Sequence, residues 1–276
     1  MQPLTLAISP CPNDTFIFDA MLHHKIDTEG FEFILKFADV EALNQAAFKN
    51  KYDITKLSYH AYAYASENYI LMRAGSALGN NCGPLLISKN VLTDADITNA
   101  KIAIPGKYTT ANLLFSIKYS EAKNKTFIVF SEIENDVLNH SFDAGVIIHE
   151  NRFTYAERGL KKIIDLGEFW EHTYKTPIPL GGIAIKRNID SEIQKSVARI
   201  IKRSIEFAFE NPKSSMEFVR AHSQEMSEEV CKQHIILYVN EYSVDLGFNG
   251  EYAIKTLYKI AQEKKIIPEL NEPIIL

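Results

Sequence analysis

The sequence has few cysteines and no long apolar run, and each shortage excludes a class of protein. Its three cysteines, Cys11, Cys82 and Cys231, are far apart, and no CxxC spacing occurs. The sequence therefore predicts neither a disulfide framework nor a zinc knuckle. No segment approaches the roughly 20 apolar residues that span a bilayer. The N-terminus, MQPLTLAISPCPND, lacks the basic and apolar regions of a secretion signal. We expect a cytoplasmic protein without a membrane partner.

Basic residues are not in excess either. The 276 residues include 30 lysines and arginines against 35 aspartates and glutamates, a net charge of −5. A nucleic-acid-binding protein would carry a basic surface, so we expect a small molecule as partner instead. The sequence has no HExxH or Walker A motif, and it predicts neither a metal site nor a cofactor. It does not indicate an oligomeric state.

Strand-like and helix-like segments alternate along most of the chain. LTLAIS (4–9), YDITKLS (52–58) and KIAIP (101–105) are typical of buried strands, and a helical pattern follows each of them. This alternation predicts an α/β protein with mainly parallel sheets.

Two breaks in the pattern indicate two lobes. One lies near residues 86–100, and the other is the Pro- and Gly-rich TPIPLGG (176–182). Several predicted helices follow the second break. We expect an outer lobe of residues 1–87 plus 180–276 and an inserted inner lobe of residues 88–179.

Polar side chains follow four of the predicted strands. In parallel sheets, ligands bind outside the carboxyl ends of the strands. We therefore expect a ligand cleft between the lobes, with two clusters on each side. The candidate residues are Ser9, Asn13 and Asp14, then Lys56, Leu57 and Ser58, then Thr109 and Thr110, and finally His149.

The first of these clusters, SPCPND (9–14), is a rigid turn. Pro10 and Pro12 fix their own φ angles and restrict the residues before them, so the loop keeps its shape without a ligand. Asn13 or Asp14 is a candidate N-cap for the helix that follows. The turn is either one side of a binding site or simply a corner between a strand and a helix.

The next two clusters each allow two interpretations. Thr109 and Thr110 start a predicted helix after Gly106, where free N–H groups favour a carboxylate or a phosphate. Ordinary threonine capping explains the same pattern. Lys56 offers a cation at a strand end, although most lysines are simply solvated.

His149 is a candidate base because a histidine can carry a proton near neutral pH. It follows the apolar segment DAGVII, and Glu150 beside it is expected to point away, as alternate residues of a strand do. Cys11 is either a nucleophile near a helix start or a thiol lining the cleft. The other histidines, including His234, show no shared ligand spacing.

SPCPNDTFIFDA (9–20) closely resembles the opening of the 1,4-dihydroxy-6-naphthoate synthases of the futalosine route to menaquinone. ITKLSYHAY (54–62), LGNNCGPLLIS (78–88), DAGVIIHE (143–150) and IPLGGIAIKR (178–187) resemble the same family in the same order. The resemblance spans the whole chain. It implies a two-lobed fold similar to the second type of periplasmic binding protein.

The resemblance also implies an activity and roles for particular residues. The family converts cyclic dehypoxanthinyl futalosine to dihydroxynaphthoate and a three-carbon sugar fragment, without a cofactor. By resemblance, His149 is the proton acceptor, and substrate is bound by 56–58 and by Thr109 and Thr110. Two alternatives are a solute-binding protein for a small anion and the chorismate dehydratase of the same pathway. The SPCPNDTF segment argues against the dehydratase.

Overall fold

A computed structural model describes residues 3–223 and 227–276. In this part of the chain, every helix is too short or too polar to cross a membrane. The cytoplasmic location stays a prediction from the sequence.

The described strands form two separate sheets. The first sheet has the order β2-β1-β3-β11-β4, with β5 also paired to β11, and the second has the order β10-β6-β9-β7-β8. The strands of the first sheet are β1 (Leu4–Ile8), β2 (Phe33–Phe37), β3 (Ile54–Ser58), β4 (Tyr69–Leu71), β5 (Ala77–Gly79) and β11 (Ile178–Lys186). Those of the second sheet are β6 (Leu85–Ser88), β7 (Ile102–Ile104), β8 (Lys125–Phe127), β9 (Ala144–Ile147) and β10 (Lys161–Asp165).

Both sheets are mixed, so the prediction of mainly parallel sheets is wrong. β1 pairs in parallel with β2 and β3, and β7 does so with β8 and β9. In contrast, β11 is antiparallel to β3, β4 and β5, and β6 is antiparallel to β9 and β10. A parallel neighbour requires a crossover connection from the same sheet. β6 and β11 instead bring the chain from one sheet to the other, so this constraint does not apply to them.

Helices connect and cover the strands. Those up to residue 174 are α1 (Pro12–Leu22), α2 (Val40–Phe48), α3 (Tyr59–Ala65), α4 (Asp94–Ile97), α5 (Thr110–Lys118), α6 (Ile133–Leu138), α7 (Asn151–Thr154) and α8 (Leu166–Tyr174). The later ones are α9 (Ser191–Glu210), α10 (Met216–His222), α11 (Glu228–Tyr238), α12 (Glu241–Val244) and α13 (Gly247–Glu263).

The long helix α9 shows why the C-terminal segment folds back onto the first sheet. Asp190 caps its start by accepting a hydrogen bond from the N–H of Glu192. Val197, Ile201 and Ile205 recur at helical spacing and are fully buried in the core that also contains β1 and α1. This burial holds α1, and with it the loop that precedes α1, against the sheet.

The division into lobes at residues 87/88 and 179/180 stays a prediction. The first sheet contains strands from both ends of the predicted outer lobe, and most of the second sheet lies within residues 88–179. β6 pairs in the second sheet although its first three residues precede the predicted boundary.

Candidate active site

One cavity of about 100 Å³ lies where the carboxyl ends of strands from both sheets meet. The nine candidate residues of the four clusters all line it, although they come from four separate segments, whereas Cys11 lines an adjoining cavity. They are Ser9, Asn13, Asp14, Lys56, Leu57, Ser58, Thr109, Thr110 and His149. The expected convergence of the four clusters is therefore confirmed, while their roles toward a substrate stay predictions.

Asp14 organises one wall of the cavity. Its carboxylate is fully buried and accepts hydrogen bonds from the N–H and hydroxyl of Ser9, at 3.2 and 2.7 Å, and from the amide of Asn13 at 2.9 Å. The Lys56 ammonium donates to it at 2.7 Å and is itself 6% exposed. Lys56 is thus a buried charge rather than a solvated one, and the paired Asp14 supplies the compensation that such burial requires.

The SPCPND turn starts its helix earlier than the sequence indicated. α1 begins at Pro12 with Cys11 as N-cap residue, so the prediction of Asn13 or Asp14 at that position is wrong. Pro12 has no N–H and suits the first helical position, where no intrahelical acceptor exists. This shift by one half-turn frees the Asp14 side chain to bind Ser9 and Lys56.

Thr109 caps α5, which is one of the two interpretations that the sequence left open. Its hydroxyl accepts from the N–H of Asn112 at 3.2 Å and donates to the carbonyl of Gly106 at 2.9 Å. Gly106 has φ of +138°, a conformation that favours glycine. The Thr110 hydroxyl donates to the carbonyl of Leu180, at the cavity end of β11, at 2.5 Å. The hydroxyls and the N–H of Asn112 are occupied within the protein, so among the described residues the N–H groups of Thr110 and Ala111 remain for an anion at the start of α5.

His60 fixes this helix start from the side of the first sheet. Its Nδ1 lies 3.1 Å from the carbonyl of Thr109. Burial lowers the pKa of His60 to about 4, so the ring is neutral and donates from Nδ1. The contact joins α3 to the segment before α5.

Ser58 and Leu57 line the cavity mainly through backbone that is held in place. The N–H of Ser58 donates to the side-chain oxygen of Asn44 at 3.0 Å, and the amide of Asn44 donates to the Ser58 hydroxyl at 3.2 Å. On the neighbouring strand β11, Gly181 lies opposite Ser58, and a Cβ there would lie 2.8 Å from the Leu57 carbonyl oxygen. Glycine at this position lets β11 approach β3 closely beside the cavity.

His149 sits in a turn directly after β9, in the left-handed conformation with φ of +59°. Such a conformation is uncommon for a residue other than glycine and clusters at functional sites. Its Nδ1 lies 3.5 Å from Cys11 Sγ, and Phe130 packs against its ring edge-on at 5.0 Å. Burial lowers the pKa of His149, against the opposing effects of Glu150 and Asp14. The ring is therefore neutral near neutral pH and able to accept a proton.

Glu150 lies beside His149, so the expectation that it points away is wrong. A carboxylate oxygen of Glu150, the Cys11 sulfur and a ring nitrogen of His149 lie within 4.8 Å of one another. β9 ends at Ile147, and the left-handed turn at His149 breaks the alternation of side chains on which the expectation rested. These three residues carry ligand atoms suited to a metal ion, a set that their positions in the sequence did not suggest.

His234 lines the same cavity and was not singled out from the sequence. It comes from α11, is 1% exposed, and stacks on the His149 ring with centroids 6.2 Å apart and an interplanar angle of 19°. Among the described residues, neither of its ring nitrogens has a hydrogen-bond partner. Burial, and then His149 and Lys56, lower its pKa well below the ordinary value. The only sequence signal was a polar residue on the buried face of a helix.

The fold defines the class of protein. The chain is similar to the Candida albicans CA3427 gene product, described as having the generic periplasmic binding protein fold, with a TM-score of 0.63 at 15% identity over 99% of both chains. Two sheets with a cavity between them agree with this architecture. The predicted two-lobed, periplasmic-binding-protein-like α/β fold is confirmed.

The particular family follows from closer relatives. A family model described as menaquinone biosynthesis matches residues 4–263, and the chain belongs to this family. It is 36% identical to the 1,4-dihydroxy-6-naphthoate synthase of Thermus thermophilus over 100% of both chains. It is 38% identical to the enzyme of that name from Streptomyces coelicolor, over 97% of this chain and 96% of the relative. The crystal structure of AF1704 from Archaeoglobus fulgidus superposes with a TM-score of 0.91 at 36% identity, covering 96% and 98% of the two chains.

Proposed function

We propose that this protein is a 1,4-dihydroxy-6-naphthoate synthase that acts as a carbon–carbon lyase in menaquinone biosynthesis. It converts cyclic dehypoxanthinyl futalosine to 1,4-dihydroxy-6-naphthoate and releases a three-carbon sugar fragment. The names of its full-length relatives support this activity. The observation that carries the mechanism is a neutral, partly buried His149 in the cavity between the sheets.

In this proposal, His149 accepts a proton from the substrate. This role requires the tautomer in which Nδ1 carries the ring hydrogen toward Cys11 Sγ, 3.5 Å away, and Nε2 is the proton acceptor. Loss of the proton allows a ring carbon–carbon bond to break, and the remaining ring becomes aromatic. Closure of the lobes aligns the base and excludes water.

The other candidate residues bind and orient the substrate. The N–H groups of Thr110 and Ala111 at the start of α5, next to the Thr109 cap, suit its carboxylate. Lys56, whose charge is balanced by Asp14, donates a hydrogen bond to substrate on the opposite wall, where Ser9, Asn13, Leu57 and Ser58 also contact substrate. His234 stacks next to His149, its ring nitrogens have no partner among the residues that the structure describes, and it hydrogen-bonds the bound substrate.

The two alternatives receive less support. Solute-binding proteins share this fold at low identity, and a likeness of that kind concerns the fold alone. A binding protein also has no need for a base in its cavity. The curated relatives carry the synthase name rather than that of a chorismate dehydratase.

A direct assay tests the proposal. The purified protein is incubated with cyclic dehypoxanthinyl futalosine, and naphthoate formation is followed by chromatography with mass detection. His149→Asn is expected to lower kcat by about 10²–10⁴-fold, the usual contribution of a general base. His172→Asn, an exposed histidine of α8, is the matched control and should keep full activity.

Each alternative outcome has a distinct meaning. Full turnover by His149→Asn would contradict the role of the base. Tight binding of the substrate without turnover by the wild-type protein would favour a binding protein. Dehydration of chorismate would identify the related dehydratase.

A further inference from the structure

The side chains of Cys11, His149 and Glu150 form a cluster that the proposed lyase reaction does not explain. Their ligand atoms lie within 4.8 Å of one another, and Cys11 Sγ is 3.5 Å from His149 Nδ1. Glu150 Oε2 is buried and has no hydrogen-bond partner among the described residues. A buried carboxylate oxygen left without a partner is costly, so such an atom points to a missing cation or donor.

The charges around the cluster favour a cation. Lys56 is already paired with Asp14 at 2.7 Å. Within the described part of the chain, the Glu150 carboxylate forms no ion pair, and Asp39 also lines the cavity of about 180 Å³ that adjoins the cluster. The local excess is therefore negative, and this adjoining cavity has room for a metal ion and a water.

We infer that Cys11, His149 and Glu150 form a binding site for a thiophilic divalent transition-metal ion such as Zn²⁺. One sulfur, one imidazole nitrogen and one carboxylate oxygen are a ligand set that zinc accepts, with a water in the fourth position. The thiol and the imidazole disfavour Mg²⁺ and Ca²⁺, which prefer oxygen ligands alone. On binding, the Cys11 thiol releases its proton to solvent and coordinates as the thiolate.

Metal at this site would inhibit the enzyme reversibly. A neutral imidazole that binds metal through Nδ1 carries its hydrogen on Nε2. That nitrogen then has no lone pair to accept a proton from substrate. This consequence rests on the proposed function of His149, whereas metal binding itself does not.

Metal binding is measured on the full-length protein without substrate. Titration with Co²⁺ should give one equivalent bound, with a thiolate-to-cobalt absorption band in the near ultraviolet, and Zn²⁺ should displace it. Cys11→Ser should abolish the band, and Glu150→Gln should weaken affinity at least about tenfold. Cys231→Ser replaces a buried cysteine of α11 that lies outside both cavities and should leave the band and the affinity unchanged. Circular dichroism confirms that each variant is folded.

Absence of the band in the wild-type protein, or its persistence in folded Cys11→Ser, would overturn the site. Where lyase activity is present, Zn²⁺ should lower it, and a chelator should restore it. Binding with the expected spectrum but no turnover of futalosine would contradict the proposed function and leave the metal site standing. Turnover that Zn²⁺ does not affect at saturation would contradict the inhibitory role.

Discussion

At the scale of single residues, Lys56 and Asp14 form a buried ion pair in one wall of the cleft. Both side chains are almost completely buried, and Asp14 also accepts three other hydrogen bonds. Breaking a buried pair leaves one charge without compensation and costs more than the pair contributes as a whole.

Replacing Lys56 with methionine is therefore expected to destabilise the protein strongly. Lys56→Met keeps the length of the side chain but leaves the Asp14 carboxylate unpaired, so the free energy of unfolding should fall by about 3–5 kcal/mol. The double variant Lys56→Met/Asp14→Asn should recover part of this loss, because no charge remains buried. Denaturation in urea measures the free energy of unfolding of the single and the double variant. A double variant less stable than Lys56→Met would contradict the argument.

The side chain of His234, in contrast, is expected to lower the stability of the protein while supporting its activity. Its buried nitrogens lack partners among the described residues, and each such group costs about 1–3 kcal/mol. His234→Leu should therefore raise Tm by a few degrees while lowering kcat/KM for the futalosine substrate. A histidine with only a structural role would give a lower Tm on replacement. Differential scanning fluorimetry and the naphthoate assay, run on the same preparations, separate the two cases.

At the scale of secondary-structure elements, Asp53 joins three neighbouring strands of the first sheet. Its carboxylate accepts from the N–H and hydroxyl of Thr5 in β1, at 2.9 and 2.7 Å, and from the ammonium of Lys186 in β11 at 3.0 Å. Partial burial raises the pKa of Asp53, but these hydrogen bonds outweigh burial and lower it overall. The hydrogen bonds from Thr5 and Lys186 to Asp53 lie at the end of β1 that is away from the cavity. They align the strands whose opposite ends are followed by Ser9 or carry Ser58.

Asp53→Asn is expected to destabilise the protein in a pH-dependent way. Near pH 7, the loss should be about 1–2 kcal/mol, since Thr5 and Lys186 lose a charged acceptor. The pKa of Asp53 is lower in the folded protein than its value near 3.8 in the unfolded chain. The greater free energy of unfolding of the wild-type protein is therefore fully present above pH 3.8, and it disappears as the pH falls through the folded pKa. Urea denaturation between pH 3 and 7 measures the difference, and a constant difference across this range would contradict the assignment.

At the scale of the whole molecule, the cavity is smaller than most ligand pockets. Its volume of about 100 Å³ compares with about 300–1,000 Å³ for typical ligand pockets. Contacts cross between the two sides: Glu41 of α2 accepts from the N–H of Tyr108 at 3.1 Å, and Thr110 donates to Leu180. The described conformation is thus closed, and substrate entry requires the two sides to separate.

The closed form is expected to be in equilibrium with an open form in which the two sides are apart. Removing the Glu41 contact should shift this equilibrium toward the open form. Glu41→Ala loses the acceptor for Tyr108, so small-angle X-ray scattering should show a larger radius of gyration than for the wild-type protein. Addition of dihydroxynaphthoate should reduce the difference by favouring closure. Glu192→Ala, an exposed carboxylate at the start of α9, is the control. An unchanged radius for Glu41→Ala would mean that this contact does not hold the two sides together.

Local chemistry along the chain was sufficient to predict much of this protein. The periodicity of apolar residues indicated the strands that lead to the site, and the threonine before α5 indicated its cap. The four polar clusters follow strand ends, and this position alone predicted that they would meet. The SPCPNDTF segment and its companions indicated the family that the comparisons confirm.

Other features depend on contacts between distant parts of the chain. The antiparallel direction of β11 depends on its pairing with β3, more than a hundred residues earlier. Asp14 binds Lys56 rather than the helix start, His234 reaches His149 from a remote helix, and the turn at His149 brings Glu150 toward Cys11. Periodicity and turn preferences report on a residue and its neighbours in sequence. Strand direction, charge pairing and the unoccupied nitrogens of the cavity are decided by which distant groups share one buried space, and only the tertiary structure determines that.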